Sequence, residues 1–104
     1  MSLNRHNPKR DASEPGIVNA LEAAGYWVVR VDKPLDLIVG RRGYERIILL
    51  ECKSKGGSLT ADQLKFMQIS EGATRFVVFT PEQALAAADT WITNCERIEH
   101  QANS

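Results

Sequence analysis

Apolar and polar positions along the chain fall into seven periodic runs. Ile17, Val18, Leu21 and Ala24 recur at helical spacing. Asp11 or Ser13 can cap this helix, Pro15 fits only its first turn, and Gly25 fits its stop. Three strand-like runs follow: YWVVRV over 26–31, DLIVGR over 36–41 and the nearly continuous apolar ERIILLECK over 45–53. Gly40, Arg41, Arg42 and Gly43 supply a hairpin turn between the second and third. Thr60 and Gln63 form a T-x-x-Q capping box. The helix it opens is expected to turn Leu64, Met67, Phe66 and Ile69 inward and to end at Gly72. RFVVFT over 75–80 is a fourth strand, and Thr80, Pro81 and Gln83 start an Ala-rich helix reaching about Asn94.

The order is α-β-β-β-α-β-α. Short connections make the first three strands an antiparallel meander. The helix after Thr60 serves as a crossover, so the fourth strand pairs parallel to the third in a mixed α/β sheet with helices against it. Residues 1–10 are polar and read as a mobile arm, residues 11–95 as one domain, and 96–104 as a weakly patterned tail. Tyr26, Trp27, Phe76, Phe79 and Trp91 read mainly as core, which leaves no platform of interleaved aromatics for base readout.

With 104 residues, one core is the economical arrangement, and 43% hydrophobic against 25% charged residues is a globular mixture. No apolar run approaches the roughly 20 residues a membrane-spanning helix needs, and the N-terminus has no signal-like apolar stretch. A cytoplasmic location follows as the expectation, with Cys52 and Cys95 as thiols. His6 and His100 lie in polar ends with no zinc-ligand spacing. Thirteen basic residues balance thirteen acidic ones overall, yet residues 1–55 hold 10 against 7, which permits a basic face on a neutral chain.

Chemistry concentrates at the end of the third strand. Alternation sends Glu51 and Lys53 to one face and Cys52 to the other. A hairpin closing near 41–44 lays the start of one strand beside the end of the next, so Asp36 comes close to Glu51 and Lys53. Charges ending an apolar strand need a partner. A Glu51–Lys53 or Asp36–Lys53 ion pair would satisfy that need, and so would Mg²⁺ or Mn²⁺ held by the two carboxylates.

Asp36, fourteen intervening residues, and Glu51-Cys52-Lys53 on the adjacent strand resemble the motif of the PD-(D/E)XK nuclease superfamily. DASEPGIVNALEAAGYWVVRV, the DLIVGRRG turn, ILLECK and SLTADQLKF, in that order, resemble a small stand-alone VRR-NUC domain of the phage and bacterial type across about residues 11–92. The resemblance implies a restriction-endonuclease-like core and a metal-dependent endonuclease acting on DNA, with branched or Holliday-junction-like DNA as substrate. It further implies one or two Mg²⁺ or Mn²⁺ ions per site, no organic cofactor, a homodimer, and an intracellular protein of either phage or bacterial origin.

By the same resemblance, Asp36, Glu51 and Lys53 match the catalytic set, and Gln63 the glutamine after the ExK strand. Glu14 matches an acidic contributor to the metal site, and the Cys52 backbone carbonyl is a further possible ligand. Gln63 is equally explained by the capping box, and Glu14 by its place at a helix N-terminus. The sequence departs from the pattern in having Leu35 before the motif aspartate, with Pro34 one step earlier. Lys9, Arg10, Lys55 and Lys65 are the candidates for phosphate contact, whereas Arg41 and Arg42 lie at the opposite end of the sheet. A nuclease fold used as a catalytically silent nucleic-acid-binding module, or as a partner subunit, is the alternative.

Overall fold

A computed structural model describes residues 10–94. The arm expected over 1–9, Lys9 with it, and the tail 96–104 lie outside the described residues. The elements are α1 (Glu14–Ala23), β1 (Trp27–Arg30), β2 (Leu37–Gly40), β3 (Ile48–Cys52), α2 (Ala61–Ile69), β4 (Arg75–Val78) and α3 (Pro81–Ala88). A π-helical turn, Asp89–Thr93, continues α3. The expected long final helix is thus interrupted, and Thr93 Oγ1 donates to the Asp89 carbonyl at 2.8 Å within the widened turn.

The sheet runs β1-β2-β3-β4. β1/β2 and β2/β3 are antiparallel, and β3/β4 is parallel, as the connection lengths require. β3 starts at Ile48 rather than 45, because the chain after the turn stays outside the ladder and leaves Ile47 half-exposed.

Alternation divides the sheet into unequal faces. Leu37, Val39, Ile48, Leu50, Cys52 and Val78 are buried with Ile17 and Leu21 of α1, Ala84 and Ala88 of α3, and Ile92. α1 and α3 pack together across this face. The opposite face carries Trp27, Val29, Ile38, Leu49, Glu51, Arg75 and Val77. Trp27 is 41% exposed there rather than core; it lies over Gly40, where a Cβ would come within 2.2 Å of its ring. Trp91 is likewise part-exposed, against Phe76 at 6.1 Å between ring centroids.

α2 corrects a second expectation. None of its residues is buried, and Leu64 and Ile69 are exposed, Ile69 by 76%. Polar contacts hold this helix in place of an apolar stripe. Arg75 donates to the Met67 carbonyl at 2.6 Å and to Ser70 Oγ at 2.8 Å, and Gln63 reaches Glu51.

Candidate active site

The site grows out of the β2–β3 hairpin. The ladder pairs Leu37 with Leu50, so one more step sets Asp36 opposite Glu51. Two bonds fix Asp36 there: its N–H donates to the Leu50 carbonyl at 3.1 Å, and its Oδ2 accepts the Cys52 N–H at 2.8 Å. Lys53 Nζ stands 3.4 Å from Glu51 Oε2. Gln63 Nε2 donates to the same oxygen at 2.6 Å. Glu51 is 2% exposed, and its Oε1 is a buried oxygen with no hydrogen-bond partner among the described residues.

Gln63 closes the helix cap and also touches Glu51. Its side-chain carbonyl accepts the Thr60 N–H at 2.8 Å while Thr60 Oγ1 accepts the Gln63 N–H at 3.2 Å, completing the capping box. Its amide nitrogen remains for Glu51. The cap therefore fixes the angle at which Gln63 enters the cleft.

The electrostatics are those of two carboxyl groups crowded against a low-dielectric wall. Burial pushes Glu51 up to about 7, with the Asp36 charge adding to the rise and Lys53 opposing it. Burial also raises Asp36, against the Cys52 N–H bond. The two carboxyls approach closely enough to share a proton. Burial raises the Cys52 thiol far above its ordinary value; its side chain belongs to the core, so only its backbone borders the cleft.

Asp36, Glu51, Cys52, Lys53 and Gln63 line one cleft of about 230 Å³, joined by Arg10, Asp11 and Asp32. Glu14 is buried and stands apart from this lining. Arg10 Nε donates to both its oxygens at 2.9 Å, and Arg30 Nε, from β1, to Oε2 at 2.7 Å. The expected grouping of three acids does not form, because two guanidinium groups claim Glu14. Among the described residues, no set of three or more His, Cys, Asp or Glu is arranged to hold a metal ion; Asp36 and Glu51 are the pair whose oxygens could.

Arg10 faces inward as well. Besides Glu14, it donates to Asp32 and to the carbonyls of Val31 and Asp36, while its side chain stays 32% exposed at the cleft. Lys55 lies on the exposed 54–58 loop. Lys65 lines a neighbouring groove of about 490 Å³, between α2 and the 32–34 segment, with Phe66 and Ile69.

Asp11 was expected only as a possible helix cap. Instead its Oδ2 accepts the Ser54 N–H at 2.8 Å, and its Oδ1 accepts Ser54 Oγ at 2.6 Å and Ser13 Oγ at 2.7 Å. Burial disfavours its charge, but the bonds from Ser54 and Ser13 prevail and hold it at about 2. No local signal points to this role, since Ser54 lies 43 residues away.

No family model matches the chain, and no curated protein matches it. A solved structure described as a VRR_NUC domain is similar to it, with a TM-score of 0.58 and 23% identity, covering 74% of this chain and 90% of that one. The likeness establishes the fold alone: the mixed four-stranded sheet and three helices are arranged as in that VRR_NUC domain structure.

Proposed function

We propose that this chain is a metal-dependent nuclease that hydrolyses phosphodiester bonds in DNA, with structured or branched DNA as its substrate. One observation carries the reading. Asp36 and Glu51 present adjacent carboxyls, one oxygen of which is buried without a partner, and Lys53 and Gln63 both converge on Glu51. A purely structural ion pair accounts for Lys53 and Glu51 Oε2. With both carboxyls ionised it leaves Oε1 unsatisfied and the Asp36–Glu51 repulsion only partly offset by Lys53 and Arg10.

Hard, anionic oxygens fit Mg²⁺ or Mn²⁺, and such an ion would satisfy Oε1 and offset the repulsion. Asp36, Glu51 and the Cys52 carbonyl are the proposed donors; Glu14, held by Arg10 and Arg30, is left out of the set. When bound, the ion supplies Lewis acidity toward a phosphoryl oxygen and toward water. Gln63 keeps Glu51 in one orientation through the cap of α2. The Lys53 ammonium orients the attacking water and balances the charge that develops on the phosphate. Lys55 and Lys65 offer exposed charge for more distant phosphates. The half-exposed Trp27, Val29 and Ile47 support association with a second copy of the chain. Among the described residues no helix is long and apolar enough to cross a membrane.

The test is incubation of the protein with labelled linear, flap and four-way-junction DNA in Mg²⁺, Mn²⁺ or EDTA, beside Glu51→Gln and Lys53→Ala. Metal-dependent cleavage lost in both variants is expected. Cleavage that survives EDTA, or both substitutions, overturns the mechanism. A second reading, a module that binds nucleic acid without cutting it, draws on the two-acid site, which no third metal-ligating side chain joins among the described residues. It predicts salt-sensitive binding without turnover.

A further inference from the structure

Asp36 and Lys53 stand at the last backbone bonds of their ladders, the Asp36 N–H to the Leu50 carbonyl at 3.1 Å and the Lys53 N–H to the Val78 carbonyl at 3.0 Å. The β2–β3 ladder ends at Leu37 and Leu50, and two like carboxyl groups follow at once. Mutual repulsion of ionised Asp36 and Glu51 favours splaying of these ends. The short segment before α1 opposes that with two separate sets of bonds. Arg10 donates to the carbonyls of Val31 and Asp36 at 3.0 and 3.3 Å, across the base of the loop that delivers Asp36. Asp11 grips the other end, taking both the N–H and the hydroxyl of Ser54, while Ser13 Oγ donates to the Lys53 carbonyl at 3.2 Å.

We infer that Arg10 and Asp11 form a clasp that positions Asp36 and Lys53 for metal binding and catalysis. Its consequence for catalysis rests on the nuclease reading above, whereas the clasp itself does not. Both are positioning residues. Glu14 anchors Arg10: its two carboxylate oxygens share the Arg10 Nε–H and aim the guanidinium at the loop. Adjacent residues of one segment thus hold the ends of two different strands, and the distance between the two reactive groups depends on that segment.

Two measurements test this on the full chain carrying Arg10→Gln or, independently, Asp11→Asn. The first is amide hydrogen exchange, which needs no metal. Exchange at Val31 and Asp36 should quicken at least tenfold in Arg10→Gln, and at Ser54 in Asp11→Asn, with Val39 in mid-ladder unchanged. The second is Mn²⁺ binding, followed by the electron-spin signal of free Mn²⁺. Groups that orient ligands from behind typically change metal affinity by about 10–100-fold, so each variant should need that much more Mn²⁺, and kcat should fall with KM for DNA held. Unchanged exchange in both variants overturns the clasp. So does tighter Mn²⁺ binding in Arg10→Gln, which would make Arg10 a competitor of the ion. If the unsubstituted protein binds no Mn²⁺ while the exchange effects appear, the clasp stands and the nuclease reading falls.

Discussion

The side-chain amide of Gln63 donates to Glu51 Oε2 at 2.6 Å while its carbonyl closes the N-terminal cap of α2. A single side chain thereby couples the start of a helix to the end of a strand. The coupling separates two substitutions. Gln63→Ala loses both bonds and should destabilise the protein by about 1–2 kcal/mol. Gln63→Glu keeps an oxygen for the Thr60 N–H but sets a carboxylate against Glu51. Thermal melts should show Gln63→Glu close to the unsubstituted protein at pH 5 and well below it at pH 8.

Glu51 itself makes the metal-free protein sensitive to pH. Its folded value of about 7 lies above its ordinary 4.5, so between these values the folded state holds a proton that the unfolded state has released. The resulting stabilisation is complete below 4.5, declines as pH rises, and is gone above about 7. Asp36, also raised, acts in the same direction. Asp11, lowered to about 2, acts oppositely: its contribution is present above its ordinary 3.8 and is lost as pH falls toward 2. On these groups the metal-free protein should melt highest near pH 4. Glu51→Gln should flatten the decline between 5 and 7, and millimolar Mn²⁺ should flatten it without any substitution.

The exposed sheet face makes its own demand at Gly40. A Cβ there would sit 2.2 Å from the Trp27 ring, and Trp27 is the residue paired with Gly40 in the β1–β2 ladder. Gly40→Ala must displace the indole, which costs about 1–3 kcal/mol. Gly40→Ala combined with Trp27→Val should recover most of the loss in a denaturant titration. Failure of the second change to rescue the first would place the strain elsewhere.

What could be read from the chain beforehand follows the reach of each interaction. Turn position and strand lengths suffice to put Asp36 beside Glu51, because antiparallel pairing fixes a residue's neighbour once the hairpin is located. The Thr60–Gln63 cap is local and equally legible. Arg10 lies at i−4 from Glu14, a spacing visible in the sequence, yet Arg30 joins them only through the packing of β1 against α1. The reach of Asp11 to Ser54 has no local trace. Leu64 and Ile69 misled for a related reason: apolar spacing predicts a buried stripe only where another surface arrives to cover it, and α2 is held by Arg75 and Gln63 instead.

Glu14 and Asp36 offer the sharpest contrast between an acid that supports the fold and one that strains it. Glu14 is fully buried, but two guanidinium groups compensate its charge, so Glu14→Gln leaves both arginines short of their partner. Arg10 and Arg30 keep part of their solvent contact, which softens the loss to about 2 kcal/mol. Asp36 has the reverse balance. Its ionisation is opposed by burial and by Glu14, and its neighbour Glu51 is pushed up in turn. Asp36→Asn retains an oxygen for the Cys52 N–H while removing the charge that repels Glu51. Melting curves at pH 8 without metal should therefore show Glu14→Gln lowered and Asp36→Asn equal to or above the unsubstituted protein. With Mn²⁺ added, Asp36→Asn should gain nothing, whereas Glu14→Gln should still be stabilised. An Asp36→Asn protein that melts far lower without metal would mean that this carboxylate serves the fold, and the functional assignment of Asp36 would fail with it.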